Sequence, residues 1–531
     1  MIAIIASWLF FIFLFWGIGF PIAKKIFTKK FTFSEVIVTG MIVASFLAAS
    51  LSFFLPLGTY GLLIFIIVAI FSIALKYNEF KKGFVEMYNK FKNKPFLLVL
   101  VIVISWISSQ QPTIFDHYSY YFPTVEWFSE HGTVKGIGNL HPFLNQSSLW
   151  HVLQSVFTFP FTKLLFNDIN GFLLLIGILY FDTLKEASPI KNLSYFFPIF
   201  LLFIDASSPD LPILVLTAIV FHLFLQNKQI LFQVLLLSFL VFVKITCAPL
   251  ILLLFFQKKF YQNFYNVWYI PLALFGVWSL KNHFISGYAL FPFEFRLNTP
   301  AWTIAPENLK FFKEVTINAG YTENQVDVTD ENIFKKLYYW IRLGGINAIF
   351  NTSIILLFVL IPILKLLKNH RVKLLYFVCM VWMLALLYTS PQYRFFLPIW
   401  ILFLGWILNY FFQYKPILKT CFYVLLFLFT SMVCFFDIKT ISTRKEMNAK
   451  LLVVPQKRFV SSKEYLVFKR EELFFYSPKS FQNSFEVQSI PVPSSNKKLA
   501  KWMEKKWKLK IKMLGLNPED GYCHEKLNNT N

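Results

Sequence analysis

Residues 111–123 read Gln111-Pro-Thr-Ile-Phe-Asp-His-Tyr-Ser-Tyr-Tyr-Phe-Pro123 and directly follow the fourth hydrophobic run of the chain. A carboxylate (Asp116), an imidazole (His117) and three tyrosines therefore emerge together at the end of a predicted membrane span. Ionisable groups at a membrane boundary are costly unless they line a cavity or take part in chemistry. The stretch predicts a scaffold of membrane spans that gathers several loops into one site.

The composition supports a membrane scaffold. Of the 531 residues, 56% are hydrophobic and only 15% are charged, whereas a soluble domain carries about 25% charged residues. The net charge of +23 is spread over short clusters between hydrophobic runs, which is typical of cytoplasmic ends of spans and not of a nucleic-acid surface. The five cysteines lack CxxC spacing, so neither a metal site nor a disulfide framework is indicated.

The hydrophobic runs set the predicted architecture. They recur from residue 1 to about residue 436 and predict an all-α polytopic membrane protein with about 14 transmembrane helices. Lysine clusters at 24–30 and 76–94 mark the cytoplasmic side, which puts residues 111–123 outside. The predicted parts are N-terminal helices (1–110), a transmembrane core (111–436) with external loops 111–168 and 281–344, and a basic polar tail (437–531) that the alternation of spans places outside.

The first external loop carries a second pattern. Its segment His141-Pro-Phe-Leu-Asn-Gln-Ser-Ser-Leu-Trp-His-Val-Leu-Gln154 has apolar residues at roughly helical spacing with a polar opposite face. This pattern is typical of an amphipathic helix that lies in the membrane interface. We therefore expect an external amphipathic helix within loop 111–168.

On this topology several loops bring ionisable groups to one face of the membrane. Asp116 is the candidate general base, because a carboxylate can take a proton from an acceptor hydroxyl. Lysine or arginine can neutralise a departing phosphate. Aspartates before a helix also fit a plain capping role, and that alternative stays open for Asp205 and Asp210. The candidate substrate-binding residues are His117, Tyr120, Asp205, Asp210, Lys244, Lys281, Asn282, Tyr393 and Arg394.

Four of these stretches resemble the GT-C superfamily of integral-membrane glycosyltransferases. They are the Asp116 stretch, Asp205-Ala-Ser-Ser-Pro-Asp210, Lys281-Asn-His-Phe-Ile-Ser-Gly-Tyr-Ala-Leu-Phe-Pro and Tyr393-Arg-Phe-Phe-Leu-Pro. The third is similar to the family's R-N-x-x-x-[ST]-G-x-P-x-[FY]-P stretch, with Lys281 where arginine is usual and Ala289 where proline is common. The fourth is similar to the family's R-[YF]-x-x-P. The chain also resembles a group of uncharacterised bacterial membrane proteins of about this size.

The resemblance implies a GT-C-like enzyme in the bacterial inner (cytoplasmic) membrane with its active face outside the cytoplasm. The donor would be a polyprenyl-phosphate-linked sugar and the acceptor a glycan, a lipid or a protein. Asp116 would be the base, and Lys281 and Arg394 would lie near the donor phosphate. Whether a divalent metal ion assists is left open, because relatives differ and no metal-ligand spacing is present. A lipid-linked sugar flippase or other transporter, an O-antigen-type polymerase or ligase and an inert scaffold are the alternatives.

Overall fold

The computed structural model describes residues 1–27, 31–162, 164–165, 168–184, 193–435, 449–453, 455–471, 473–481 and 483–526. Residues 28–30 of the first lysine cluster and 437–448 at the start of the tail lie outside this set. The described chain is mostly helical, as the sequence predicts, but the tail adds two small antiparallel sheets.

The α-helices fall into three groups along the chain. Those before residue 200 begin with the N-terminal helices and include the helices of the first loop: α1 (Ile2–Ile26), α2 (Phe33–Leu51), α3 (Leu62–Leu75), α4 (Tyr77–Asn93), α5 (Phe96–Ser108), α6 (Phe122–His131), α7 (Leu149–Ser155), α8 (Ile169–Asp182) and α9 (Phe197–Leu201). The middle group is α10 (Asp210–Gln226), α11 (Ile230–Val243), α12 (Leu252–Phe255), α13 (Lys258–Gln262), α14 (Phe264–Val267), α15 (Tyr269–Ser286), α16 (Pro306–Thr322) and α17 (Ile333–Arg342). The last group is α18 (Gly345–Ile363), α19 (His370–Thr389), α20 (Tyr393–Tyr414), α21 (Pro416–Phe435) and α22 (Lys497–Trp507).

Several of these helices can cross a membrane by length and composition. Among the described residues six pass this test, and there are up to seven if the pair α4 and α5, bent by 100°, forms one broken span. The six are Ile2–Ile26, Phe33–Leu51, Leu57–Leu75, Gly345–Ile363, His370–Thr389 and Tyr393–Gln413. Five further apolar helices are shorter. The predicted total of about 14 stays a prediction, because many of its proposed spans coincide with these shorter helices.

Glycines allow the first two helices to approach closely. A Cβ atom on Gly40 would lie 1.8 Å from the Phe15 carbonyl oxygen, and one on Gly19 would lie 2.2 Å from that of Val36. Small residues at such crossings let helix backbones touch, which favours packing where lipid offers no hydrophobic driving force. This contact fixes α2 beside α1.

Contacts between turns show which helix ends lie together. The Lys94 ammonium, before α5, lies 2.5 Å from the Asp182 carboxylate at the end of α8. The Arg371 guanidinium donates to the Phe224 carbonyl oxygen (2.8 Å), and the Lys259 ammonium donates to that of Asn227 (3.1 Å). These basic ends therefore form one end of the bundle, as the lysine clusters predict. The opposite ends of α5, α10, α11 and α20 carry most of the candidate site.

The prediction of an amphipathic helix in the first loop is wrong. Residues 142–145 form a 3₁₀ turn, and the α-helix that follows, Leu149–Ser155, has only seven residues, all of them buried. The polar face does not meet water or headgroups, since Trp150 Nε1 donates to the Asn170 side chain (2.7 Å) and the Ser148 hydroxyl donates to the Val243 carbonyl oxygen (2.8 Å). Local periodicity shows which residues share a helix face, but it does not show whether that face contacts water or polar groups of other helices. The spacing of this segment therefore resembled that of an interfacial helix.

The segment predicted as external loop 281–344 is largely helical. Lys281 and Asn282 lie inside α15, which continues to Ser286, and α16 and α17 occupy much of the rest. Lys281 is fully buried. The two residues are therefore held rigidly, which a loop would not do.

The tail is a folded unit packed on the first loop. It consists of the hairpin β1 (Tyr465–Arg470) and β2 (Leu473–Pro478), the helix α22, and the hairpin β3 (Leu509–Met513) and β4 (Tyr522–Lys526). The backbone N–H groups of Val487 and Gln488 both donate to the Tyr118 carbonyl oxygen at 2.9 Å. The tail and the Asp116 stretch therefore lie at the same end of the bundle. That this end faces away from the cytoplasm stays a prediction.

Candidate functional site

Four separate helix ends converge on the candidate site. Asp116 ends the connection after α5, immediately before a π-helical turn at His117–Tyr121. Asp210 is the first residue of α10, Lys244 follows the last residue of α11, and Arg394 is the second residue of α20. Helix ends leave backbone groups without intrahelical partners, so polar side chains concentrate there.

The four charged groups form one connected set. Arg394 Nη1 lies 3.0 Å from Asp116 Oδ2 and 3.5 Å from Asp210 Oδ2. Lys244 Nζ lies 2.8 Å from Asp210 Oδ1. The side chain of Asp210 is 1% exposed, whereas that of Asp116 is 24% exposed. Asp116 is therefore the carboxylate that a bound molecule can reach. Asp210 is buried and pairs with both cations.

Neighbouring groups orient the two cations. Gln392 Oε1 accepts a hydrogen bond from Arg394 Nη2 at 2.8 Å. Lys244 Nζ lies 3.3 Å from the centroid of the Phe395 ring, in the geometry of a cation–π contact. Tyr393 stacks on Phe350 (ring centroids 5.1 Å apart) and so anchors the start of α20. Arg394 at a helix start opposes the helix dipole, and the two carboxylates offset that cost.

The predicted capping role does not hold for Asp210. Its side chain makes no capping hydrogen bond for α10, and the helix follows Pro209 as its cap. Its backbone N–H donates instead to the Ser208 hydroxyl (3.1 Å). Asp205 accepts a hydrogen bond from the Thr113 hydroxyl at 3.5 Å, and this contact joins the two loops.

His117 is buried and has a structural contact. Its Nδ1 atom accepts a hydrogen bond from the Ser207 backbone N–H at 3.3 Å. Burial lowers the pKa of this imidazole to about 3, so the ring is neutral at physiological pH. A neutral acceptor ties the Asp116 stretch to the loop 205–210 without adding charge.

Two tyrosines, Tyr120 and Tyr121, lie beside Asp116. The Tyr121 hydroxyl donates to Asp116 Oδ2 at 3.4 Å, and the Tyr120 ring lies 4.6 Å from that of Tyr121. Burial, first of all, raises the pKa of both phenols well above the ordinary value, and the Asp116 carboxylate adds to the rise. Both hydroxyls therefore stay protonated; that of Tyr121 donates to Asp116, and that of Tyr120 is a candidate donor to an anion or to sugar oxygens.

Lys281 forms a second positive centre. Its ammonium donates to the backbone oxygen and the hydroxyl of Ser147, and it lies 3.5 Å from the side-chain oxygen of Asn282. Among the described residues no carboxylate forms an ion pair with it. Burial lowers the pKa of this amine to about 7, so an anion bound beside it would favour its protonated form.

His151 connects the two centres, and sequence reasoning missed it. Its ring lies 5.0 Å from that of Tyr121, and it is within electrostatic range of Lys281, His117 and Asp210. Burial, first of all, lowers its pKa to about 3, and the nearby Lys281 adds to the fall. The residue stands within the stretch 141–154, whose spacing indicated an exposed polar face, so its burial had no local signal. Ser147 stands in the same stretch and was missed for the same reason, whereas Gln392 is uncharged and so lacks the signal that a charge beside an apolar run provides.

The donor set does not fit a divalent metal ion. The two carboxylates are already neighbours of Arg394 and Lys244, whose positive charges repel a metal ion. In the part of the chain that the structure describes, no three His, Cys, Asp or Glu side chains are grouped as ligands.

A comparison with known families identifies the family of the chain. Residues 1–401 match the family described as a domain of unknown function, DUF8201. The chain belongs to this family. The DUF8201 match contains all ten predicted site residues, and the tail lies beyond it. No curated protein and no solved structure matches the chain.

Proposed function

We propose that this DUF8201 protein is a multi-pass membrane glycosyltransferase. It moves a sugar from a polyprenyl-phosphate donor to an acceptor on the outer face of the bacterial cytoplasmic membrane. The observation that carries this proposal is the pairing of a partly exposed carboxylate, Asp116, with Arg394 at 3.0 Å. A base and cations within one site are what sugar transfer from a lipid phosphate requires.

The proposed reaction uses Asp116 as the general base. The carboxylate takes the proton from an acceptor hydroxyl while that oxygen forms a bond to the anomeric carbon of the sugar. The bond between the anomeric carbon and the phosphate oxygen breaks, and the polyprenyl phosphate leaves with the electron pair. One base and no protonated acid suffice, since a phosphate leaves as a stable anion, and the sugar is expected to invert.

The cations are suited to the leaving phosphate. Asp116 and Asp210 balance Arg394 and Lys244, so the four groups together carry no net charge. Lys281, whose pKa burial lowers to about 7, would add a positive charge when an anion binds beside it. The negative charge that develops on the phosphate is therefore expected near Lys281, with Tyr120 as a further hydrogen-bond donor.

A transfer assay tests the proposal. Membranes with the wild type or Asp116→Asn receive radiolabelled polyprenyl-phosphate sugars and an envelope acceptor fraction. Asparagine keeps the shape and the hydrogen bond to Arg394 but is not a base, so we expect a loss of about 10²–10⁴-fold in transfer. Equal transfer by both proteins would remove Asp116 as the base. If neither protein transfers any sugar from several donors, the flippase alternative gains support.

A further inference from the structure

One face of α22 is strongly positive. Lys498, Lys501, Lys505 and Lys508 are exposed and recur at helical spacing. None of the four forms an ion pair with a carboxylate in the described chain. The helix has one acidic residue, Glu504, which turns inward to Arg470 (2.7 Å).

The same face carries an aromatic side chain. Trp502 is 37% exposed, although tryptophan is usually buried in a folded unit. Lys506 Nζ lies 5.0 Å from the centroid of its ring. The apolar residues of α22, Leu499 and Met503, are buried within the tail. The face therefore lacks the apolar row with which an amphipathic helix inserts into lipid.

A row of aromatic rings leads from this face to the candidate site. Trp502 lies 5.0 Å from Phe311, Phe311 lies 6.0 Å from Phe485, and both distances join ring centroids. Phe485 lies 5.3 Å from Phe143, which stacks on Tyr120 at 5.6 Å. Except for Phe311, these side chains are partly or well exposed. Rings with a negative face offer stacking positions to the C–H groups of sugars.

We infer that the face formed by Lys498, Lys501, Trp502, Lys505 and Lys508 is a docking surface for an anionic polysaccharide. The lysines attract its acid groups, and the aromatic row leads its chain to Tyr120 and Asp116. The inference rests on the proposed function for the direction of this path, because a sugar polymer would arrive as the acceptor. Binding itself does not depend on transfer.

A binding assay on the full chain tests the inference. The protein is placed in phosphatidylcholine nanodiscs, and fluorescein-labelled polygalacturonate and neutral dextran of equal length are the probes. The variant changes Lys498, Lys501, Lys505 and Lys508 to Gln. The matched control changes four exposed tail lysines off this face to Gln: Lys457, Lys463, Lys469 and Lys479. Fluorescence anisotropy gives the Kd.

We expect the wild type to bind polygalacturonate and not dextran. The face variant should bind about tenfold more weakly and the control within about twofold, since only the clustered charges act together. Trp502→Ala should weaken binding and Trp502→Phe should keep it. Equal weakening in both lysine variants, or no polygalacturonate binding by the wild type, would overturn the inference.

Two further measurements separate the alternatives. If the face variant keeps polygalacturonate but loses flotation with phosphatidylglycerol vesicles, the face binds lipid and the inference is wrong. Full transfer activity in Asp116→Asn would refute Asp116 as the base. The result for polygalacturonate binding would still stand, because that assay does not measure transfer.

Discussion

Arg394 Nη1 lies 3.0 Å from Asp116 Oδ2, although 278 positions of sequence separate the two residues. The same nitrogen lies 3.5 Å from Asp210 Oδ2. One guanidinium therefore joins two loops that enter the site from different helices. This relationship makes Arg394 the residue on which the geometry of the base depends.

Replacement of Arg394 tests that dependence. Arg394→Lys keeps the charge but loses the planar fork, whose Nη1 meets both carboxylates while Nη2 donates to Gln392, so we expect transfer to fall while the protein still folds. Arg394→Gln should lose more, because it also leaves Asp210 with a single cation. The rates are measured with the donor at saturating concentration, and Tyr388→Phe on the exposed surface is the control. Full activity of Arg394→Gln would show that the pair is not needed.

The ion pair between the buried Asp210 and the partly exposed Lys244 predicts a non-additive effect on stability. Removing either partner costs stability, but less than in a fully buried isolated pair, because Arg394 stays 3.5 Å from Asp210 and Lys244 is 20% exposed. Asp210→Leu and Lys244→Met should each lower the unfolding temperature in detergent. The double variant should recover part of the loss but no transfer activity. Additive losses would contradict the coupling that the 2.8 Å contact indicates.

The variant Lys281→Met tests whether Lys281 binds the donor or only supports the fold. Methionine fills a similar volume and removes a buried amine that forms no ion pair in the described chain, so we expect a smaller loss of stability than Arg458→Met causes. Transfer should fall, and the KM for the polyprenyl-phosphate sugar should rise, because the phosphate loses its cation. A variant with the KM of the wild type would exclude Lys281 from the donor site. Lys281→Arg, the residue usual at this position in the GT-C pattern, should keep activity.

Arg458 forms the ion pairs that join the tail to the first loop, beside the backbone contacts of Val487 and Gln488 with Tyr118. Its Nε atom lies 3.1 Å from both carboxylate oxygens of Glu126, its Nη2 atom lies 2.9 Å from Glu130 Oε1, and its side chain is 2% exposed. Arg458→Met should destabilise the protein by about 3–5 kcal/mol and expose the tail to protease. Arg458→Met combined with Glu126→Gln should restore part of the stability. Unchanged proteolysis would show that other contacts hold the tail.

Buried imidazoles predict a loss of stability in acid. The pKa of His151 is about 3 in the fold against 6.5 ordinarily, so between these values the unfolded chain binds a proton that the folded chain does not. This contribution is complete above pH 6.5 and is lost as the pH falls toward 3. His151→Asn should therefore show a shallower fall in unfolding temperature between pH 7 and pH 4, with the exposed His370→Asn as control. An unchanged slope would contradict the burial of His151.

Much of the candidate site could be predicted from sequence because charged groups next to apolar runs are rare and costly. Asp116, Asp210, Lys244 and Arg394 were all found in this way, and the structure brings them together. His117 and Asp205 were found too, but they join loops and do not belong to the charged set. His151 was missed, because a short buried helix and an interfacial amphipathic helix have similar periodicity.

The sequence by itself determined the helical, apolar scaffold, the lysine-rich ends of the helices and the residue types available for chemistry. These follow from local composition and from the cost of placing charge in lipid. Only the tertiary structure decided that Arg394 pairs with Asp116, that Lys281 is buried on a helix, and that the tail packs on the first loop through Arg458. Each of these depends on contacts between segments far apart in the chain, and such contacts leave no periodic signal in a single sequence.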